Sequence, residues 1–356
     1  MLIFDPKPSC IAWHHLLGTS SQEGVIESNP SNEHKPDLIS LPAEQDTIAY
    51  VLQNGGAEVT QPVSHLSAKT IQKIERCLDN LPDDNRKTIR LIMSGLNYWP
   101  NAHHILLCET AYFHRLPKAV SSYALPFELR AAGIQRYGGD GLCHHWAWRQ
   151  VRAHLTDTLQ RVISVHLDEA PNVAALLDGI AVETSQGFSQ IEGIPSMTSC
   201  GDLDPTIVLM LRTNGMPLEQ IETMLRQQSG FMAMLDHPSN FQTFLADETD
   251  QTINARQLLY HKLLEAIGSA IAALGGLDAL VFTSSDLVQS QPFINRICSG
   301  LDFLHVQFDG NREIKDSGLT RLSSEVSSIQ IFGLKYNRWN VLAETVKLFQ
   351  ALDPAF

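Results

Sequence analysis

The sequence predicts an α/β protein of two domains. Helical apolar spacing alternates with short strand-length apolar runs along the chain. Its 356 residues, 44% of them apolar and 18% charged, are enough for two sizeable cores. Thr70 to Leu81 sets Ile71, Ile74, Cys77, Leu78 and Leu81 at helical spacing, whereas Ile89 to Met93 and Ile105 to Cys108 have the length of strands. Val162 to Leu167, Ala279 to Thr283 and Ile329 to Phe332 are further strand-like runs. Thr206 to Leu211, Leu218 to Arg226, Tyr260 to Leu274 and Asn340 to Leu352 carry helical spacing. After the apolar opening Met1 to Phe4, the stretch Gly18 to Asp46 is rich in Ser, Asn, Glu and Pro and reads as loop or ragged strand. No internal repeat is visible.

The charge balance narrows the function classes. Lys and Arg number 26 against 39 Asp and Glu, a formal charge of -13, so the field repels phosphate backbones and anionic lipid and argues against nucleic acid as a partner. Six dispersed cysteines without a C-x-x-C pair, and no basic start followed by an apolar core, fit a reduced cytoplasm. No window approaches the roughly 18 apolar residues of a membrane span.

Two blocks carry a specific pattern. The first is Glu109-Thr-Ala-Tyr-Phe-His114, then Tyr123-Ala-Leu-Pro126, then Gly133-Ile-Gln-Arg-Tyr-Gly138 to His144. The second is Glu183-Thr-Ser-Gln-Gly-Phe188, Ile191-Glu-Gly193 and Gly201-Asp-Leu-Asp-Pro205, with Leu277 to Thr283 beyond it. In order and spacing these resemble the acetate kinases, whose blocks read D-T-A-F-H, Y-A-L-P, G-I-R-R-Y-G-x-H-G-T-S-H, D-T-S-M-G-F-T-P-L-E-G, G-D-I-D-P and L-D-A-V-V-F-T. The resemblance covers roughly residues 105 to 350. It implies a two-domain fold of the actin, sugar-kinase and Hsp70 type (ASKHA). Residues 1–108 with 337–356 would form a shortened first domain to which the last helix returns, and 109–336 the second. It also implies phosphoryl transfer from Mg-ATP to a small carboxylate, and a homodimer.

Such a transfer brings two anions together and needs positioned cations and backbone donors. Against the family's motifs, most of these are replaced here. The N-x-G-S-S-S-L-K phosphate hairpin becomes Asp5-Pro-Lys-Pro-Ser-Cys-Ile-Ala12, in which Pro6 and Pro8 have no N–H and Asp5 is acidic, with Lys7 and Ser9 as partial compensation. Val51 and Ser199 stand where the family has arginines, and neither reproduces the paired bonds of a guanidinium. Asp140 replaces the histidine of R-Y-G-x-H-G, and Gly139 and Gln190 replace pocket residues around the acyl group. The glycine-rich H-L-G-N-G-G-S becomes His166-Leu-Asp-Glu-Ala-Pro-Asn172, and G-G-I-G-E-N becomes Ser284-Ser-Asp-Leu-Val-Gln289. T-N-E-E, which helps hold magnesium, becomes Tyr336-Asn-Arg-Trp339.

Glu109, Asp140 and His144 are the family-aligned catalytic positions. Glu109 is expected either to coordinate magnesium or to pair with a basic group. Lys7, Ser9, Gly201, Asp202, Ser284 and Ser285 are the candidate nucleotide-binding positions. Asp202 and Asp204 are expected to cap the helix that starts at Pro205, and Arg136 to form a loop or interdomain salt bridge. The run Asp140-Gly-Leu-Cys143-His144-His145 leaves open a metal or thiol chemistry, although descent explains most of it. The leading expectation is a catalytically inactive or strongly impaired homologue with a binding or regulatory role, possessed of a protein partner. The alternative is an active phosphotransferase with a changed carboxylate acceptor that uses Glu109, Lys7, Arg136 and Arg338 as replacements.

Overall fold

The computed structural model describes residues 1–7, 10–18, 20–27, 38, 41–42, 44–77, 84–155, 159–314 and 318–353. They fall into two compact units, one of Met1–His114, Tyr123–Leu142 and Arg338–Phe356, the other of Arg115–Ser122 and Cys143–Asn337.

The first unit is built on a six-stranded sheet of β1 (Leu2–Pro6), β2 (Cys10–Leu17), β3 (Ser20–Glu27), β4 (Thr47–Leu52), β5 (Val63–His65) and β6 (His103–Cys108), in the order β3-β2-β1-β4-β6-β5. β1, β4 and β6 run parallel and are near-continuous apolar runs because both faces of the sheet are covered. Alternate residues serve opposite cores. Leu2, Phe4, Ile48, Tyr50, Leu52 and Leu106 face Ile74 and Ile92, from the helices Ala68–Cys77 and Asp84–Tyr98. Ile3, Ala49, Val51, Ile105 and Leu107 face Leu342, Ala343 and Val346 of the helix Arg338–Leu352. That last helix is pinned by Gln350 to Thr47, at 2.9 Å, and by Asp353 beyond its end to His65, at 2.8 Å.

The second unit holds β7 (Arg161–His166), β8 (Asn172–Leu177), β9 (Ile180–Thr184), β10 (Ala279–Ser284), β11 (Leu319–Arg321) and β12 (Gln330–Lys335), ordered β11-β12-β10-β7-β8-β9. The 25-residue helix Asp250–Leu274 packs Leu259, Leu263 and Ile267 into the same core as Ile163, Val165, Leu280 and Phe282. Both sheets follow one plan: an antiparallel meander of three strands, two further strands parallel to the first of them, and an antiparallel edge. The repeat that the sequence hides is therefore one of topology, and the architecture is the expected two-domain α/β fold of the ASKHA type.

Several elements differ from the sequence reading. Ile89 to Met93 is not a strand but lies inside the helix Asp84–Tyr98, with Ile92 buried and Met93 46% exposed. Gly95 lets that helix approach the sheet, since a Cβ there would lie 2.0 Å from the Tyr50 hydroxyl. Part of Gly18 to Asp46 is the regular strand β3, while residues 28–37 and, from the predicted helix ending at Leu81, residues 78–81 lie outside the described residues. Glu109 to His114 and Tyr123 to Leu142 group with the first unit rather than the second. The Leu142 N–H donates to Glu109, and Gly138, at φ 74°, packs its backbone against the Phe113 ring.

Gly141 is the tightest of these joints. A Cβ at this position would lie 2.3 Å from the Glu109 carbonyl oxygen and 2.5 Å from Tyr112 Cβ. Because main chain is the obstacle, Gly141→Ala is expected to destabilise the protein by about 2 kcal/mol, read as a lower urea midpoint with an unchanged slope.

Candidate functional site

β1 ends in a hairpin whose turn is closed by the Lys7 N–H donating to the Cys10 carbonyl at 2.8 Å. Pro6 and Pro8 bring no N–H, so the described part of this turn has no backbone donor left for a ligand. Ser9 lies outside the described residues.

Asp5, fully buried on β1, faces two cations. Lys7 Nζ stands 2.8 Å from Asp5 Oδ2. Arg338, the first residue of the returning helix, donates through Nε to Oδ2 and through Nη2 to Oδ1, the latter at 3.0 Å. Gln53 Nε2 donates to the same Oδ1 at 3.2 Å. The guanidinium also reaches the next carboxylate, with Arg338 Nη1 3.1 Å from Glu109 Oε1. Glu109 follows β6 directly, is itself fully buried, and accepts the Leu142 N–H at Oε2 at 3.0 Å, at the start of the helix Gly141–Val151. Its Oε1 receives the charge of Arg338 but no hydrogen bond.

The two carboxyls are held in opposite ways. Burial pushes Asp5 up, but the charges of Arg338 and Lys7 and their hydrogen bonds outweigh it, leaving Asp5 at about 2. For Glu109 burial prevails over Arg338 and the Leu142 N–H, and the charges of Asp140 and Asp5 add to it, so its carboxyl is raised. The structure thus brings Glu109 and Lys7 together around Asp5 and Arg338, while Asp140, in a left-handed backbone conformation at φ 50°, acts on Glu109 through its charge.

His144, also expected in the site, belongs to the second unit and is fully buried there. Its Nδ1 pairs with Ser164 Oγ at 2.9 Å and its Nε2 with Asn172 Oδ1 at 2.6 Å, the bonding of a core histidine. Cys143 lies 3.6 Å from both His166 Nδ1 and Thr283 Oγ1, all buried. Asp204 caps its helix as expected, accepting the Thr206 N–H at 2.8 Å, but Asp202 does not share that role. Asp202 instead accepts the Gly193 N–H at 2.8 Å and steadies Gly201, which at φ 70° packs against Pro195 and the Gly193 carbonyl. Ser284 pairs with Ser290 at 2.8 Å, and Ser285 accepts from Gln242 at 3.2 Å. Asp286 caps the helix Leu287–Ser299 through the Gln289 N–H at 3.0 Å, and Glu169 accepts the Phe241 N–H at 3.1 Å. The two positions aligned with arginines are closed as well: Val51 is fully buried in β4, and the Ser199 hydroxyl and N–H both bond Ser196 Oγ. Among the described residues no three His, Cys, Asp or Glu side chains converge to hold a metal ion, and no helix is long and apolar enough to cross a membrane.

The family model for the acetokinase family matches residues 20–344. The chain belongs to the acetokinase family. It is 29% identical over 295 residues to acetate kinase of Rhodopseudomonas palustris strain TIE-1, covering 81% of this chain and 73% of that one. It is 27% identical over 334 residues to acetate kinase of Coprothermobacter proteolyticus, covering 91% and 83%. Among solved structures, the acetate kinase of Entamoeba histolytica shares its fold at a TM-score of 0.82 and 19% identity, over 98% of this chain and 99% of that one. A propionate kinase of Francisella tularensis does so at 0.82 and 22%, over 96% and 97%.

Magnesium, which the acetokinase family would bring with its nucleotide, does not fit the residues of this cluster, because a guanidinium fills the place between Asp5 and Glu109. Sequence reasoning missed the Asp5–Arg338 pair and the Gln53 bond. A signal for the pair was present: against the family's motifs, a neutral residue has become acidic at position 5 and an acidic one basic at position 338. Gln53 carries no such signal.

Asp5→Asn leaves the guanidinium and Lys7 short of a counter-charge and is expected to cost about 3 kcal/mol at pH 7. Asp5 titrates near its usual 3.8 when unfolded and at about 2 when folded, so the unfolded chain binds more protons between these values. Its stabilisation is complete above pH 4 and is lost as the pH falls through 2. The difference in unfolding free energy between parent and variant should therefore be constant from pH 7 to about 5 and narrow below about 4.

Proposed function

We propose that this acetokinase-family chain does not transfer phosphoryl groups as a catalytic acetate kinase does, and that it acts by binding, with a regulatory or scaffolding role as a cytoplasmic homodimer. The observation that carries this reading is the first hairpin, which brings a neutralised carboxylate to the place where the family's motif brings small residues with N–H groups. Pro6 and Pro8 have no donor, the Lys7 N–H is spent on Cys10, and the Lys7 and Arg338 side chains are spent on Asp5. An entering phosphate would have to displace Asp5 from both cations and leave a buried charge unpaired, which costs several kcal/mol.

The reading of the chain as an active phosphotransferase with a changed acceptor needs Lys7 and Arg338 as ligand-binding cations, and their engagement lends it less support. The homodimer is supported by the helix Pro205–Thr213, which buries none of its side chains although it carries Ile207, Leu209 and Met210. Cys10, Cys108, Cys200 and Cys298 as free thiols fit a reduced compartment.

Calorimetric titration with Mg-ATP and Mg-ADP, beside an active acetate kinase, tests the proposal. The expected result is no saturable heat at millimolar nucleotide and no acyl phosphate from acetate or propionate. Micromolar, magnesium-dependent binding with turnover would overturn it.

A further inference from the structure

We infer that the outer face of the two helices over the first sheet, Ala68–Cys77 and Asp84–Tyr98, is a docking surface for a short acidic segment of a partner protein. No residue of this face belongs to the Asp5–Arg338 cluster, so the inference goes beyond the reading of the hairpin and stands apart from it.

Three observations carry it. First, the cations are aligned. Residues at i, i+4 and i+7 of an α-helix share one face. Ile71 and Ile74 turn the first helix toward the sheet, which leaves Lys69, Lys73 and Arg76 at that spacing on its opposite side. Ile89 and Ile92 do the same for the second helix and leave Arg86, Arg90 and Met93 outward. Lys69, Arg76, Arg86, Arg90 and Met93 are exposed, and Lys73 is half-buried. Second, several of these charges are not spent within the protein. In the second unit Arg161, Arg226, Arg256, Lys262 and Arg312 each hold a carboxylate. Among the described residues Lys69, Lys73 and Arg90 hold none, and Arg76 reaches Glu58 at 3.8 Å on the open surface, a pair worth little and readily exchanged for an incoming acid. Third, the placement does not serve the helix itself, because Arg86 stands in the first turn, where the helix dipole disfavours a cation.

The charge of the chain selects the class of partner. At -13 the molecule as a whole repels a polyanion. Screening at physiological ionic strength shortens the reach of each charge to about 8 Å, so a ligand confined to the stripe feels the stripe, and one that overruns it meets the rest of the surface. A stripe from i to i+7 is about 10 Å long. A segment of roughly three helical turns with Asp and Glu on one face matches that scale, whereas a nucleic-acid duplex or an anionic bilayer runs well past it. Met93, one turn from Arg90, adds an apolar contact of the adaptable kind, which suits an acidic segment that carries leucine among its charges.

The test is fluorescence anisotropy of a labelled peptide of roughly three helical turns, rich in Glu and Asp with two leucines, titrated with the full chain at low salt and without nucleotide. The same titration with labelled oligothymidylate, and cosedimentation with phosphatidylserine vesicles, reads the other polyanions. The parent is expected to bind the peptide saturably, with an affinity that falls as salt rises, and at least about tenfold more tightly than oligothymidylate. Lys73→Glu/Arg90→Glu is expected to weaken peptide binding at least about tenfold. Lys118→Glu/Lys347→Glu makes the same change in net charge at exposed positions off these helices and is expected to leave binding within about twofold of the parent. If the thermal midpoint shows Lys73→Glu/Arg90→Glu to be unfolded, Lys73→Gln/Arg90→Gln takes its place, with an expected loss of about threefold. No saturable binding by the parent, no loss in the Lys73 and Arg90 variants, an equal loss in the control pair, or firmer binding of oligothymidylate or vesicles would each overturn the inference.

Discussion

The first unit depends on keeping two desolvated carboxylates in the company of one guanidinium. Asp5 leaves β1, Glu109 leaves β6, and Arg338 opens the helix that closes the other face of the sheet, so a single planar cation ties together three segments that are distant in sequence. Paired and hydrogen-bonded, such a cluster is tolerable, whereas broken by loss of one partner it becomes a serious burden. The placement of the returning helix satisfies both acids at once.

The same economy recurs elsewhere in the chain. At four helix or turn entrances a main-chain donor is taken by an acidic side chain of the protein: Glu109 at Leu142, Glu169 at Phe241, Asp286 at Gln289, Asp202 at Gly193. Helix entrances of this kind are natural seats for anionic ligands. These four are filled internally, and the excess of Asp and Glu that gives the chain its charge of -13 is partly spent on this role.

The layered α/β architecture was legible because β1, β6, β7 and β10 are dense apolar runs buried on both sides. Among what escaped were the buried strand β4, the meander strands β2, β3, β8 and β9, and the helix through Ile89, whose short apolar cluster has no period clear enough to separate it from a strand. At the site, what the resemblance implies could be read residue by residue, since a proline or an aspartate in place of a glycine has a fixed chemical meaning. The partners of Asp5 and Arg338 could not. Asp5 and Arg338 are 333 positions apart, and only the fold shows that they pair. His144 is the converse case, a residue that the resemblance set among the catalytic positions and that is buried with bonds to Ser164 and Asn172.

The route of the chain also sets an order of assembly on the ribosome. The second unit has its whole sheet once Lys335 has emerged, whereas the first waits for the helix Arg338–Leu352, although β1 precedes every strand of the second unit. Until that helix arrives, Leu342 and Val346 are missing from one face of the sheet, and Asp5 and Glu109 must remain hydrated or protonated. Nascent chains commonly fold from the amino terminus onward. In this one the first unit is held open until the helix Arg338–Leu352 is made, and a chain interrupted before Arg338 would leave one apolar face of the sheet uncovered for chaperones and proteases to find.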